Sequence, residues 1–201
     1  MSKPQKDVAA GSAGAAPAVD GLAVTIAATE SAAASTSGVS PYELRNDFLV
    51  EQAKERVRYK NGYTLPASAR ALYNDTLRKV RHARILSTNL KKAHPGQPRP
   101  KEADAHHIVA QEDRRAVRSR GFLVNWGIGI NDADNGVFLP RYAHTKITTL
   151  PDAPSHQVIH TDLYYLSVTM RLQIVAKDTV EAGRGMLREI KSEIVAGKFP
   201  Y

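Results

Sequence analysis

Histidine is concentrated in one part of this chain: five of its seven histidines lie between positions 106 and 160. They include an adjacent pair, His106-His107, and a spaced pair, His156-Gln157-Val158-Ile159-His160. Between the pairs runs Asn131-Asp132-Ala133-Asp134-Asn135-Gly136-Val137-Phe138-Leu139-Pro140. Neutral imidazole is the usual ligand for a borderline divalent metal and the usual general base near neutral pH. The clustering therefore points to a metal site with a base beside it, and to a fold that draws these segments together.

The sequence has no cysteine, which excludes disulfides, thiolate metal sites and a cysteine nucleophile. Any metal must be held by His, Asp, Glu or Asn. With 201 residues, 42% of them hydrophobic, one domain with extensions is expected. No apolar run approaches the length needed to span a bilayer, and Asp7, Asp20, Thr25 and Glu30 interrupt any hydrophobic signal core near the N-terminus. The expectation is a protein made soluble in the cytoplasm, whose export, if any, does not use a cleaved Sec signal.

The net charge of +8 is unevenly spread. Residues 41–100 hold thirteen Lys and Arg against five Asp and Glu, whereas residues 101–201 hold thirteen against twelve. A basic segment ahead of a metal site suits a polyanionic substrate, through phosphate contacts and counterion release. A solvated basic helix face is the plainer alternative.

Residues 1–39, rich in Ala, Ser, Gly, Thr and Val, read as a disordered tail or linker. Ser40-Pro41-Tyr42-Glu43 resembles a helix start, with Leu44, Phe48, Leu49 and Val57 along one face until Asn61-Gly62. A second helix is expected from near Pro66, carrying Leu72, Tyr73, Leu77, Val80 and Leu86 inward. Its outer face would offer Arg78, Lys79, Arg81, Arg84, Lys91 and Lys92 to nucleic acid. The tract His94-Pro95-Gly96-Gln97-Pro98-Arg99-Pro100 cannot continue a helix and marks a junction. The expected organisation is a tail (1–39), a basic helical segment (40–100) and a catalytic domain (101–201).

In that last part Ala105–Val109 reads as extended, 112–119 as a short helix, and Gly136–Leu139 as a brief strand ended by Pro140. A helix is expected from Pro154-Ser155 to about Lys177, burying Leu163, Tyr164, Leu166, Met170 and Ile174. Asp178-Thr179-Val180-Glu181 should start a final helix, with Leu187, Ile190 and Ile194 inward and Gly197 closing it.

On the expected helix His156 and His160 are four residues apart and share a face, the spacing a metal pair wants. His106 and His107, neighbours on an extended segment, point to opposite sides. One can then coordinate a metal while the other faces a scissile phosphate, the pairing that phosphodiester hydrolysis needs. Asn135 can tie down the loop that carries the base, and Gly136 fits a tight turn beside it. Asp132 and Asp134 read as turn formers, and Trp126 and Phe138 as core.

Three ordered blocks carry a family resemblance: Ala105-His106-His107-Ile108, the run from Gly127 through Asn135 to Pro140, and His156-x-x-x-His160 followed by Tyr164-Tyr165. Over about residues 100–177 the chain resembles the AHH nuclease family of the HNH/endonuclease VII, or ββα-metal, superfamily, which includes the nuclease colicins. The resemblance implies an α+β fold with a ββα-metal finger packed among helices. It implies His107 as general base, His106 as a metal ligand, Asn135 as the middle Asn of the motif, and His156 and His160 as further ligands. His144 is a rival third ligand, because the spacing from Asn135 to His156 exceeds that of a minimal motif.

The implied activity is metal-dependent hydrolysis of phosphodiester bonds, in DNA ahead of RNA. Mg²⁺ is the first expectation for the ion, with Zn²⁺, Mn²⁺ or Ni²⁺ also suited to a His-rich site. AHH domains commonly form the toxin portion of bacterial polymorphic toxins and type VI secretion effectors. The implied partners are therefore a cognate immunity protein and a delivery system. Two other classes stay open on the residues alone: a non-catalytic nucleic-acid-binding protein, and a structural zinc module using His106, His156 and His160.

Overall fold

The computed structural model describes residues 55–201, so the expected tail over 1–39 and the helix start at Ser40 lie outside the described residues. Residues 55–58 carry no helix. Asn61-Gly62 is the turn of a small hairpin in which β1 (Tyr59–Lys60) pairs antiparallel with β2 (Tyr63–Thr64). Both turn residues have positive φ, 51° and 87°. That geometry matches the twist of the flanking strands, and Asn-Gly is the sequence that adopts it most readily.

The single helix expected from Pro66 is two: α1 (Ala69–Leu77) and α2 (His82–Ala93). Arg78 turns extended at the end of α1, and the imidazole Nε2 of His82 reaches back to its carbonyl at 3.0 Å, a bond that holds the break in place. The break shifts the helical phase. Leu72 and Leu86 are buried as expected, but Tyr73, Leu77 and Val80 are exposed.

The central feature is an antiparallel pair, β3 (Ala103–His107) with β4 (Gly136–Pro140), in which His106 faces Val137 and His107 faces Gly136. Strand alternation gives this ribbon two different faces. Val137 and Leu139 join the main core with Ile108, Leu123, Tyr164, Leu172 and Ile190. Ala105 and Phe138 pack instead with Leu86 and Leu90 of α2. Gly136 lets α2 approach closely, since a Cβ there would lie 2.6 Å from Leu86 Cδ1.

Between β3 and β4 come a 3₁₀ turn (Arg114–Ala116), α3 (Val117–Asn125), and a second 3₁₀ turn (Ala133–Asn135). Two helices follow, α4 (Asp162–Ile174) and α5 (Val180–Val195). Thr179 caps α5 by accepting from the Ala182 amide, and Gly197 ends it with φ 65°, as expected.

The helix expected from residue 154 starts only at Asp162, because Thr161 takes the N-cap and accepts from the Tyr164 amide. Residues 155–160 form a turn and an extended link. The buried face of α4 is Tyr164, Tyr165, Val168 and Leu172, whereas Leu163, Leu166, Met170 and Ile174 are exposed. Of the expected inward set only Tyr164 is correct, since moving the start of the helix changes which residues its neighbours cover.

Asp132 and Asp134 do more than shape a turn. Arg184 of α5 pairs with both, at 3.0 and 2.6 Å, and Arg188 pairs with Asp134 at 2.9 Å. Asp132 also accepts from the amide and hydroxyl of Thr64. These contacts fasten the segment before β4 to α5 and to the small hairpin. The result is an α+β fold of helices and two small antiparallel sheets. Among the described residues, no helix is long and apolar enough to cross a membrane.

Candidate active site

Strand alternation sends His106 and His107 to opposite faces of β3, as their adjacency predicts. His106 is buried on the side of α4 and meets the link that precedes that helix. Its ring centroid lies 5.2 Å from that of His156 and 5.1 Å from that of His160, and the latter two are 5.2 Å apart. The three rings thus stand at the corners of a nearly equilateral triangle. Each offers a nitrogen, and these nitrogens lie within 4.8 Å of one another. His156 and His160 meet through the link ahead of α4 and not through the shared helix face that their spacing predicts, because the helix starts only at Asp162.

The surroundings suit a cation held by neutral ligands. Burial drives the pKa of His106 well below its ordinary value, with repulsion from His156 and His160 adding to the effect. Burial also lowers those of His156 and His160. At neutral pH the three imidazoles present lone pairs and not charge. The triad borders an open cleft of about 890 Å³, which leaves space for further ligands, as a catalytic ion requires. The donor set and its opening therefore fit a divalent metal.

Two tyrosines orient the triad. Tyr164 donates to the Ile108 carbonyl at 3.0 Å and lies 2.8 Å from His106 Nε2. A hydroxyl has one proton, and burial raises the Tyr164 pKa well above its ordinary value. The hydroxyl therefore accepts from His106 Nε2–H, leaving the Nδ1 lone pair for an ion. Tyr165 meets His160 Nδ1 at 2.7 Å, leaving Nε2 as the remaining nitrogen of that ring. The sequence places Tyr164 among the buried positions of its helix, and the proximity of Tyr164-Tyr165 to His160 is the signal for a second role of both. Tyr164→Phe is expected to weaken metal binding about 10–100-fold while leaving the triad intact, as loss of an orienting partner does. Competition against a chromophoric chelator measures this.

His107 faces the other way, at the partly exposed edge of the same cleft. Its Nε2 lies 3.1 Å from Asn131 Oδ1. Burial pushes its pKa down to about 4, partly offset by the Asn131 contact. Asn135 is fully buried and clasps the segment after β3: its Oδ1 accepts from Val109 N at 2.8 Å, and its Nδ2 donates to the carbonyls of Val109 and Ile130. Its own carbonyl accepts from Ile108 N at 2.9 Å. This is the loop-tying arrangement expected of it, although the side chain touching His107 belongs to Asn131.

His144 is exposed, stacked on Tyr142 at 5.4 Å, and the structure does not bring it to the triad. Two of the four arginines at 114–120 have polar partners within the fold. Arg115 pairs with Asp113 and Asp162 and covers the Tyr165 ring at 4.2 Å, and Arg120 donates to the carbonyls of Ala110 and Asp113. Basic groups at the cleft come from elsewhere. Arg81 and Arg84, at the start of α2, line the cleft itself. An adjoining cleft of about 460 Å³ shares Arg84 and His156 with it and adds Arg99 and Arg141.

A family model described as a nuclease family of the HNH/ENDO VII superfamily with conserved AHH matches residues 87–194, just over half of the chain. The match begins inside α2, ends inside α5, and takes in His106, His107, Asn135, His156 and His160. No curated protein and no solved structure matches the chain.

Proposed function

The chain belongs to the AHH family of nucleases in the HNH/endonuclease VII superfamily, and on that premise we propose that it is an endonuclease that cleaves DNA. The observation that carries this reading is the juxtaposition, at one cleft, of a His106/His156/His160 triangle and a separately held His107. The triad would hold the divalent ion that such nucleases require. When bound, the ion supplies Lewis-acid stabilisation to the phosphate and to the departing 3′ oxygen.

His107 takes a proton from the attacking water. Its low pKa keeps it neutral at working pH, and its place on the opposite face of β3 from His106 frees it from ligation. Asn135 keeps the strand end and the following loop rigid, so the base does not drift from the cleft. Arg81 and Arg84 offer the main cleft cationic groups suited to a phosphate backbone, beside Glu112 and Asp113, and the adjoining cleft adds Arg99 and Arg141, both paired with Asp104. Three imidazoles with no carboxylate among them favour Zn²⁺ or Ni²⁺ over Mg²⁺, a hard ion that prefers oxygen. Zn²⁺ or Ni²⁺ thus takes the place of Mg²⁺, the first expectation from the sequence.

The resemblance to toxin nucleases further supports an antibacterial role, in which a cognate immunity protein protects the producing cell and a delivery system carries the enzyme to its target. Induced expression inside a bacterial host would then arrest growth with loss of chromosomal DNA, and His107→Ala would relieve it. The substrate is tested by incubating the purified protein with supercoiled plasmid and, separately, with total RNA, each with Zn²⁺, Ni²⁺, Mn²⁺, Mg²⁺ or EDTA. Conversion of plasmid to nicked or linear forms with RNA intact is expected. Degradation of RNA alone would make this an RNA nuclease with the same site, and binding without cleavage of either would leave a nucleic-acid-binding module.

A further inference from the structure

We infer that Asn131 and His82 are positioning residues for His107: a hydrogen-bond chain beginning at the Arg78 carbonyl holds His107 in the Nε2–H form and leaves Nδ1 as the nitrogen that takes the proton. The inference rests on the reading of His107 as the base. Its geometry comes from α2 and from the segment before β4, and His82 lies ahead of the stretch the family match covers.

The chain is fixed link by link. The Arg78 carbonyl can only accept, so His82 Nε2, 3.0 Å away, carries a proton. In a neutral ring Nδ1 of His82 is then a bare acceptor. Both amide atoms of Asn131 approach that nitrogen, Nδ2 at 3.0 Å and Oδ1 at 3.2 Å, and of the two only Nδ2 can donate to it. The amide of Asn131 is thereby oriented with Nδ2 toward His82, which leaves Oδ1 to meet His107. Oδ1 accepts only, so His107 Nε2, 3.1 Å away, is the protonated nitrogen of the base. The lone pair sits on Nδ1.

The relay is held from several sides. Asn131 is fully buried and His82 nearly so. The Asn131 carbonyl accepts from Asn89 Nδ2 at 2.7 Å, and its amide donates to the Tyr59 hydroxyl at 3.3 Å. Asp75 lies behind, 3.5 Å from Asn131 Nδ2 and 3.4 Å from the Tyr59 hydroxyl. Hairpin, helix and loop thus converge on one amide group, whose chemical effect is to decide which nitrogen of His107 is basic. A base held in one tautomer is ready in every encounter with substrate, whereas a free ring is ready in only a fraction of them.

The test is nitrogen NMR of the full chain with labelled histidine, which separates the Nε2–H from the Nδ1–H form at each ring, combined with steady-state cleavage. In wild type His107 is expected as Nε2–H. Asn131→Asp retains an acceptor opposite Nε2 and should keep that form, whereas Asn131→Leu and His82→Ala should give mixed tautomers. Those two variants should lose about 10–100-fold in kcat with KM little changed. Should Asn131→Leu not fold, His82→Ala carries the same comparison. A wild-type His107 in the Nδ1–H form, or an unchanged tautomer in folded His82→Ala, would overturn the inference. An Nε2–H His107 in a protein that cleaves neither DNA nor RNA would uphold the hydrogen-bond chain and overturn the nuclease reading instead.

Discussion

Replacing His107 by alanine is expected to lower kcat about 10²–10⁴-fold, the usual range for loss of a positioned general base, while the protein still folds and still binds metal. The expectation follows from the division of labour on β3. His107 is hydrogen-bonded to Asn131 and stands outside the candidate ligand group, so removing its ring takes the proposed base from the cleft and leaves the three proposed ligands in place. Single-turnover cleavage separates this from weakened substrate binding. The same variant should change the acid response of the metal-stripped protein. Burial holds His107 at about 4 in the folded chain, against an ordinary value of 6.5. Between these values the unfolded chain binds a proton that the folded chain does not. Stability therefore falls as pH drops from 6.5 toward 4, by about 3 kcal/mol from this group. Thermal melts from pH 7.5 to 4 should decline less steeply for His107→Ala than for wild type.

Metal loading carries the second large effect. If the triad binds an ion in the folded state and not in the unfolded one, saturating metal stabilises the fold by about 2.7 kcal/mol at a hundred times Kd. For a domain of this size that raises Tm by about 5–10 °C. His160→Ala is the mildest probe, because that ring is exposed, and His156→Ala the next, because it is only half-buried. Each should abolish most of the thermal shift and the cleavage activity, with little change in the melting of the stripped protein. His106→Ala should do the same at greater cost to the fold, since that ring is fully enclosed and its loss leaves the Tyr164 hydroxyl without one of its partners. Acid should reverse metal uptake in wild type, because protons compete for the same lone pairs, and burial moves that competition below the ordinary histidine range.

Much of this site was legible because its residues come in chemically unusual pairs. Adjacent histidines on an extended segment have to diverge, and His106 and His107 do. Asn135 clasps the backbone after β3 as expected, but Gly136 beside it makes no tight turn, because with φ −139° it is already extended as the first residue of β4. The failures have a common physical origin. Helical periodicity was carried across positions where the chain is interrupted: at Arg78–Arg81, and at Thr161, whose side chain starts α4 well after Pro154. Both errors displaced apolar residues from their true faces, as the exposed Leu77 and Met170 illustrate. Asn131 and His82 gave no local sign of their role, because their link joins residues far apart in sequence and depends on how α2 packs against β3. The pairing of Arg184 with Asp132 was hidden for the same reason, since two charges on separate elements announce nothing until the elements meet.

The most direct test of the central claim, that one ion held by three histidines enables cleavage beside a separate base, is a titration of metal back into stripped protein with plasmid cleavage and bound metal measured on the same samples. Activity should be absent after chelation and should rise in step with bound metal to a plateau at one ion per chain. His160→Ala should show neither the uptake nor the rise. Cleavage that survives complete removal of metal, or that returns without any ion bound at the triad, would contradict the account.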